Sequence, residues 1–259
     1  MIKSIKRSTQ SFLGLFGYQL VNQRLQSAAI APIELNSEDI ELVKWVHDEE
    51  LSMVSLAGLF STLAAAKYVA ENDIDGDFVE CGVWRGGNSI IAAEIFRRYS
   101  TQKRVFLFDT FKGMTEPTQH DRSVENDQPA LKEYIRLQGE THNLWCFAPL
   151  DEVRGNFRRR NLLDQNVVFV EGPVEKTLLQ SDLVPPRISF LRLDTDWYES
   201  TKVELEVLYP SLTKGGVLVI DDYGYWSGSK KATDEYFSIR KPRPLFHATD
   251  DTRRIGVKI

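Results

Sequence analysis

The chain has 259 residues, of which 42% are hydrophobic and 27% are charged, so we expect one large globular domain with an appended arm. Its 37 acidic and 32 basic residues give a net charge of −5, and such a field repels phosphate backbones, which excludes nucleic acid as an expected partner. The two cysteines, Cys81 and Cys146, are too few for a disulfide framework and too isolated for a structural zinc site. This cysteine usage predicts a reducing, cytoplasmic location.

Residues 1–50 are predicted to form a helical arm that precedes the main domain of residues 51–259. A basic N-terminal segment followed by an apolar run over residues 12–21 is similar to a signal peptide, but Gly17 and Arg24 do not suit one. We therefore expect an amphipathic arm that packs on the domain, contacts a membrane surface or supports a homo-oligomer. No uncharged apolar stretch reaches the roughly 20 residues of a membrane span.

The main domain alternates helical segments with short apolar runs. Residues 51–71 carry apolar positions at helical spacing, and residues 72–76 form a stop signal. Five runs of strand length follow, at residues 77–82, 104–109, 167–172, 188–194 and 216–222. This alternation predicts an α/β fold with a mostly parallel sheet and helices on both faces. Residues 245–250 and 254–259 predict an antiparallel hairpin, which makes the sheet seven-stranded.

Strand after strand of the predicted sheet ends in a carboxylate. The acids are Glu80, Asp109, Glu171, Asp194 and the pair Asp221 and Asp222. Because ligands bind in the crevice outside the carboxyl ends of parallel strands, we expect these six side chains to face one pocket. The connection of residues 111–165 is far longer than an ordinary crossover, and it is predicted to be a lid or substrate wall.

A glycine-rich turn between Glu80 and Ser89 joins the first predicted strand to its helix. Glycines allow close approach of a ligand to the backbone, although they also serve a simple tight turn. The buried Glu80 carboxylate would repel a pyrophosphate and attract a sulfonium or ammonium group, which favours S-adenosylmethionine over a dinucleotide. Asp109 at the end of the second strand is the expected acceptor for ribose hydroxyls, and a solvated carboxylate is the alternative.

A group of aspartates follows the fourth and fifth predicted strands, as Asp194-Thr195-Asp196 and Asp221-Asp222. Carboxylates held this close repel one another unless a cation lies between them. Oxygen ligands alone indicate Mg²⁺ rather than zinc, and a divalent ion acidifies a coordinated hydroxyl, which suits alkylation of an alcohol. The alternative is that Asp196 and Asp222 only cap neighbouring structure.

Four segments together resemble the macrocin O-methyltransferase (TylF-type) family of class I, Rossmann-like S-adenosylmethionine-dependent methyltransferases. They are DFVECGVWRGG from residue 77, FLFDTFKGM from residue 106, LRLDTDWYEST from residue 191 and GGVLVIDDY from residue 215. The resemblance covers residues 53–240. Members methylate hydroxyls of sugars or of sugar-decorated natural products.

The resemblance implies a cofactor site, a magnesium site and a catalytic base. The implied adenosylmethionine residues are Glu80, Gly82, Val83, Gly86, Ser89, Asp109, Thr110, Gly172 and Asp194. The implied magnesium ligands are Asp196, Asp221 and Asp222, with Asp194 behind Asp196, although the spacing leaves open which of these two binds the ion. Asp196 is also the candidate proton acceptor. A lid histidine is the expected base in the antibiotic branch of the family, so His142, ahead of His120, is the second catalytic candidate.

These inferences predict an S-adenosylmethionine- and Mg²⁺-dependent O-methyltransferase acting on a hydroxyl of a sugar, a glycosylated natural product or a surface polysaccharide. Asp194-Thr195-Asp196 also fits the Asp-x-Asp sequence of metal-dependent glycosyltransferases, but the glycine turn and Asp109 would then lack a purpose. A non-enzyme alternative is an inactive methyltransferase fold kept as a scaffold, against which the presence of every expected acid argues.

Overall fold

The computed structural model describes residues 31–259, and residues 41–259 form one compact unit that contains the whole sheet. Most of the predicted arm of residues 1–50 lies outside the described residues, so its contacts with a membrane or a second copy stay predictions. In the part of the chain that is described, each helix is too short or too polar to cross a bilayer.

Eight α-helices and seven strands lie within the described residues. The helices are α1 (Ser37–Asp48), α2 (Leu56–Glu71), α3 (Gly87–Arg98), α4 (Leu131–Arg136), α5 (Leu150–Arg159), α6 (Val174–Thr177), α7 (Tyr198–Val207) and α8 (Ser227–Ser238). The strands are β1 (Asp77–Cys81), β2 (Val105–Asp109), β3 (Val167–Glu171), β4 (Ile188–Leu193), β5 (Leu212–Ile220), β6 (His247–Ala248) and β7 (Arg254–Val257). A 3₁₀ turn, Tyr209–Ser211, leads into β5.

The strands form one sheet in the order β3-β2-β1-β4-β5-β7-β6. The first five are parallel, and β7 pairs antiparallel with both β5 and β6, which confirms the predicted α/β class, the mostly parallel sheet and the C-terminal hairpin. The central strand β1 is buried from Phe78 to Cys81. Strands β2 and β3 lie on one side of β1, and β4 and β5 lie on the other. Such a reversal of the strand order opens a crevice at the carboxyl ends of the strands.

Helix α2 begins at Leu56 and not at residue 51, where the apolar pattern predicted its start. The Ser55 side chain accepts a hydrogen bond from the N–H of Gly58 at 3.2 Å, which satisfies a free donor of the first turn. Leu51 and Val54 precede this cap and are buried. Their apolar side chains continue the helical pattern of the sequence although they lie outside the helix. The irregular segment before Ser55 supplies part of the wall of the cavity described below.

Candidate functional site

A cavity of about 710 Å³ opens at the carboxyl ends of β1, β2, β4 and β5. The strand ends supply several of its walls, and the connection of residues 111–165 supplies a facing wall that includes Trp145. The volume lies within the range of small-molecule sites. The structure therefore places a ligand-sized cavity at the predicted rim of the sheet.

Most of the predicted cofactor and metal residues line this cavity, namely Gly82, Val83, Asp109, Thr110, Gly172, Asp194, Asp196, Asp221 and Asp222. Three predicted cofactor residues, Glu80, Gly86 and Ser89, are not among its lining residues. Glu171, one of the six acids expected at the rim, instead pairs with Lys112 at 3.0 Å in an exposed ion pair. Of the six acids that are predicted to face one pocket, four therefore line this cavity.

Glu80 is buried and bonded to other side chains outside the cavity lining, so its role at the cofactor stays a prediction. One carboxylate oxygen accepts a hydrogen bond from Arg192 at 2.9 Å, and the other accepts one from the hydroxyl of Ser89. Burial raises the pKa of Glu80 to about 7 although the charge of Arg192 opposes the shift. The negative charge of Glu80, which is expected to attract a sulfonium, is therefore offset mainly by the positive charge of Arg192.

The raised pKa of Glu80 gives a stability prediction with a definite sign. The folded protein holds the proton of Glu80 more tightly than the unfolded chain does. The free energy of folding that this proton contributes is therefore fully present below about pH 4.5 and is lost as the pH rises through about 7. We expect Glu80→Gln to match the wild type in thermal stability at pH 5 and to exceed it at pH 8. Thermal unfolding across this range checks the prediction, and parallel wild-type and variant curves would contradict it.

Gly82 and Asp109 shape the glycine turn. A Cβ on Gly82, whose φ is +81°, would lie 1.9 Å from the carbonyl oxygen of Asp194, so only glycine allows β1 and β4 to end side by side. One oxygen of Asp109 accepts the N–H groups of Val83 at 2.6 Å and Trp84 at 3.1 Å. Asp109 therefore fixes the turn by backbone hydrogen bonds in addition to lining the cavity.

Asp194, Asp221 and Asp222 form the carboxylate group in which a cation would fit. Each offers one oxygen, and these three atoms lie within 4.8 Å of one another. Oδ2 of Asp222 is buried and receives no N–H or O–H group from a donor side chain among the described residues, while the Asp222 carboxyl group contacts that of Asp196. The donor set is all oxygen, which suits Mg²⁺. The geometry groups Asp194, and not the expected Asp196, with the pair from β5.

Asp196 lies beside this group. Its Oδ2 accepts a hydrogen bond from Nε1 of Trp226 at 3.1 Å. Burial and the charge of Asp194 raise its pKa, while burial and the adjoining Asp196 raise the pKa of Asp222. Asp196 lines the cavity next to a cation-sized group of oxygens, and this position suits a proton acceptor.

Arg192 is a site residue that the sequence reasoning missed. It is 1% exposed near the carboxyl end of β4 and bonds Glu80, Asp194 and Asp221 at once. Arg253 adds a second cation, with its Nε 2.8 Å from Asp221. Two arginines thus compensate carboxylates that would otherwise repel one another beneath the cavity. The available signal was an arginine within an otherwise apolar strand, which a buried position accepts only when it is paired.

Asp121 is a second missed residue and belongs to the connection between β2 and β3. Its buried carboxylate accepts the N–H of Tyr198, the first residue of α7, at 2.7 Å, and the N–H and hydroxyl of Thr118. A Cβ on Gly228 would lie 1.8 Å from Oδ1 of Asp121, so α8 packs directly against this carboxylate. Asp121 thereby attaches the cavity wall to the helix that follows Asp196.

The structure does not bring the two candidate histidines to the cavity. The His142 ring stacks on Phe147 with centroids 4.0 Å apart, and its Nδ1 lies 3.0 Å from the hydroxyl of Thr141. His120 packs against Tyr198 and Lys231. Neither is a lining residue. His142 therefore lies outside the cavity lining, whereas Asp196 belongs to it, and the catalytic role of either residue stays a prediction.

The strand order and the cavity at the reversal of that order define the class I methyltransferase fold. The O-methyltransferase NovP has a solved structure that matches with a TM-score of 0.70 and 28% identity, over 80% of this chain and 81% of that one. The family model for macrocin-O-methyltransferase (TylF) matches residues 34–252. The chain belongs to the macrocin-O-methyltransferase family.

Two curated relatives illustrate this family. An 8-demethyl-8-(2,3-dimethoxy-alpha-L-rhamnosyl)-tetracenomycin-C 4'-O-methyltransferase from Streptomyces olivaceus is 39% identical over 66% of this chain and 62% of its own length. A demethyldecarbamoylnovobiocin O-methyltransferase from Streptomyces niveus is 34% identical over 71% of this chain and 67% of its own length. The chain thus matches somewhat less than two thirds of the first relative.

Proposed function

We propose that this protein is an S-adenosylmethionine- and Mg²⁺-dependent O-methyltransferase that methylates a hydroxyl of a neutral sugar, carried by a natural product or a surface polysaccharide. The observation that carries the proposal is the convergence of Asp194, Asp221 and Asp222 within a cavity that also includes the glycine turn. Family membership supports the methyl transfer, and the two relatives named above bear names of methyltransferases for natural products.

In this proposal the cofactor lies along Gly82, Val83, Asp109, Thr110 and Gly172, which line one side of the cavity. S-adenosylmethionine supplies a methyl group bound to a sulfonium centre. Asp109 keeps the turn from Val83 to Trp84 in place through their N–H groups, so the backbone that faces the cofactor is already ordered. Such preorganisation lowers the cost of positioning the donor in line with the acceptor.

In the same proposal Asp194, Asp221 and Asp222 hold Mg²⁺, which supplies a positive charge that binds and acidifies the acceptor hydroxyl. Asp196 accepts the hydroxyl proton. The indole of Trp226 orients its carboxylate through the hydrogen bond at 3.1 Å, as proton transfer requires of a base. Asp196 thus keeps its expected catalytic role, while Asp194 takes the ligand position.

The charge of the cavity supports a neutral acceptor. Among the described lining residues the acids are Asp109, Glu133, Glu175, Asp194, Asp196, Asp221 and Asp222. Arg253 is the only cationic side chain within that described lining, and it already pairs with Asp221 and Asp250. A nucleotide sugar would bring a diphosphate into this field at a cost. The family match argues against the glycosyltransferase alternative.

The function is tested by calorimetry and by product formation. We expect S-adenosylmethionine to bind with micromolar affinity and UDP-glucose not to bind. With a panel of neutral glycosides as acceptors, we expect formation of S-adenosylhomocysteine that stops on addition of EDTA and returns with Mg²⁺. Undiminished turnover in EDTA would refute the metal, and cofactor binding without turnover on any glycoside would favour the scaffold alternative. The homo-oligomer and the cytoplasmic location stay predictions.

A further inference from the structure

Glu204 of α7 lies beneath the turn of residues 194–196, and the function proposed above gives it no task. Its side chain is 0% exposed. Its Oε1 accepts a hydrogen bond from the hydroxyl of Thr195 at 2.7 Å. Its carboxyl group also hydrogen-bonds the thiol of Cys81, the last residue of β1. Thr195 stands between the two aspartates, so this bond reaches the turn from the interior side.

The turn that Glu204 contacts has an unusual backbone. Asp196 has a φ of +70°, and the N–H of Trp197 donates to the carbonyl of Thr195 at 2.8 Å. A hydrogen bond between residues two apart, around a central residue of positive φ, is a γ-turn of the rare, strained form. Such a conformation costs on the order of 1–3 kcal/mol and persists only where the surroundings hold it.

An acidic residue is a costly choice at this buried position. Burial raises the pKa of Glu204 well above its usual value, and an apolar side chain would avoid this cost of burying an acid. Leu205, the neighbouring residue of the helix, is equally buried and apolar. Hydrogen bonds to Thr195 and to the weak donor Cys81 therefore distinguish Glu204 from an ordinary core position, and the bond to Thr195 is the one that reaches the turn.

We propose that Glu204 is a positioning residue that acts through Thr195 and holds the strained turn so that Asp194 and Asp196 face the cavity. The inference rests on the proposed function in one respect, namely that these two carboxylates serve the metal and the proton. The structural part of the proposal does not depend on a bound ion. It states that the hydrogen bond to Thr195 sets the position of Asp196.

The indole N–H of Trp226 reports the position of Asp196 directly, because it donates to Oδ2 of that residue. Its ¹H–¹⁵N resonance can be identified among those of the five tryptophans by the loss of one signal in Trp226→Phe. We expect Glu204→Leu and Thr195→Val, which break the bond, to shift this resonance in the protein free of metal and cofactor. Glu204→Gln and Thr195→Ser, which retain an acceptor or a donor, should leave it in place.

Two measurements separate positioning from general stability. Glu204→Leu should match or exceed the wild type in melting temperature, whereas the control Leu205→Ala should lower the melting temperature and leave the Trp226 resonance unmoved. Broadening of that resonance by Mn²⁺ gives an apparent affinity, which should fall about 10- to 100-fold in Glu204→Leu. Trp226 resonances of Glu204→Leu and Thr195→Val that coincide with the wild type would overturn the proposal.

Failure of the proposed function has a different signature. If Mn²⁺ leaves the wild-type resonance unchanged, the metal part of that function is wrong. The shifts in the metal-free variants still decide whether Glu204 positions the turn.

Discussion

Asp222→Asn is expected to lower turnover by about three orders of magnitude while the protein stays folded. A bound divalent cation contributes several kcal/mol to the stabilisation of developing charge, and each 1.36 kcal/mol is a factor of ten in rate. Asp222 contributes a buried oxygen that receives no N–H or O–H group from a donor side chain among the described residues, so its loss removes a proposed ligand without breaking an ion pair. Initial rates at saturating Mg²⁺ and adenosylmethionine measure the effect.

The stability of this variant provides an internal check. Burial and the neighbouring acids raise the pKa of Asp222, so the amide should relieve repulsion and maintain or increase the melting temperature. Asp234→Asn is the matched control, because Asp234 forms an exposed pair with Lys230 and lies outside the cavity lining. Turnover of Asp222→Asn that keeps the wild-type rate and Mg²⁺ dependence would show that Asp222 is no ligand.

Arg192→Leu is expected to destabilise the protein by about 3–5 kcal/mol, because it leaves buried carboxylates without their cation. The three acids that lose a partner are Glu80, Asp194 and Asp221. For a chain of this size the melting temperature should fall by on the order of 10 °C. Thermal and denaturant unfolding at neutral pH, without metal or cofactor, measure the loss.

The control for Arg192 is Arg187→Leu. Arg187 forms an exposed pair with Asp75 at 2.8 Å, and surface pairs contribute about 0–1 kcal/mol. A loss for Arg192→Leu as small as that for Arg187→Leu would mean that Arg253 alone compensates the carboxylates. The double variant Arg192→Leu with Glu80→Gln should recover part of the loss, since it removes one of the unpaired charges.

The strands and the acids at their ends could be predicted because each can be identified within a short stretch of sequence. Apolar runs that end in Asp or Glu identify β1, β2, β4 and β5 without knowledge of their neighbours, and the sheet rule then places the ends on one rim. The convergence of Asp194, Asp221 and Asp222 follows from the same rule. Local chemistry and parallel topology together were enough for the position of the cavity.

What could not be predicted depends on contacts across elements. Glu80 points at Arg192 because β1 pairs with β4, a neighbour that lies more than a hundred positions away in the chain. The choice between Asp194 and Asp196 depends on the positive φ of Asp196, which directs successive side chains differently from a regular strand end. His142 was assigned by resemblance alone, and its stacking on Phe147 has no signature in the local sequence.

The carboxylate of Asp121 has a consequence for engineering. It bonds the start of α7, while Asn126, Gln128 and Glu133 of the same connection line the cavity. Substitutions near Asp121 would disturb both the choice of substrate and the chemical step, because Asp121 connects the cavity wall to the helix that follows Asp196. Libraries meant to broaden the acceptor range of the protein should therefore vary the side chains of Asn126, Gln128 and Glu133. They should preserve Asp121 and the ion pair of Arg122 with Asp127, because selectivity and rate are coupled there.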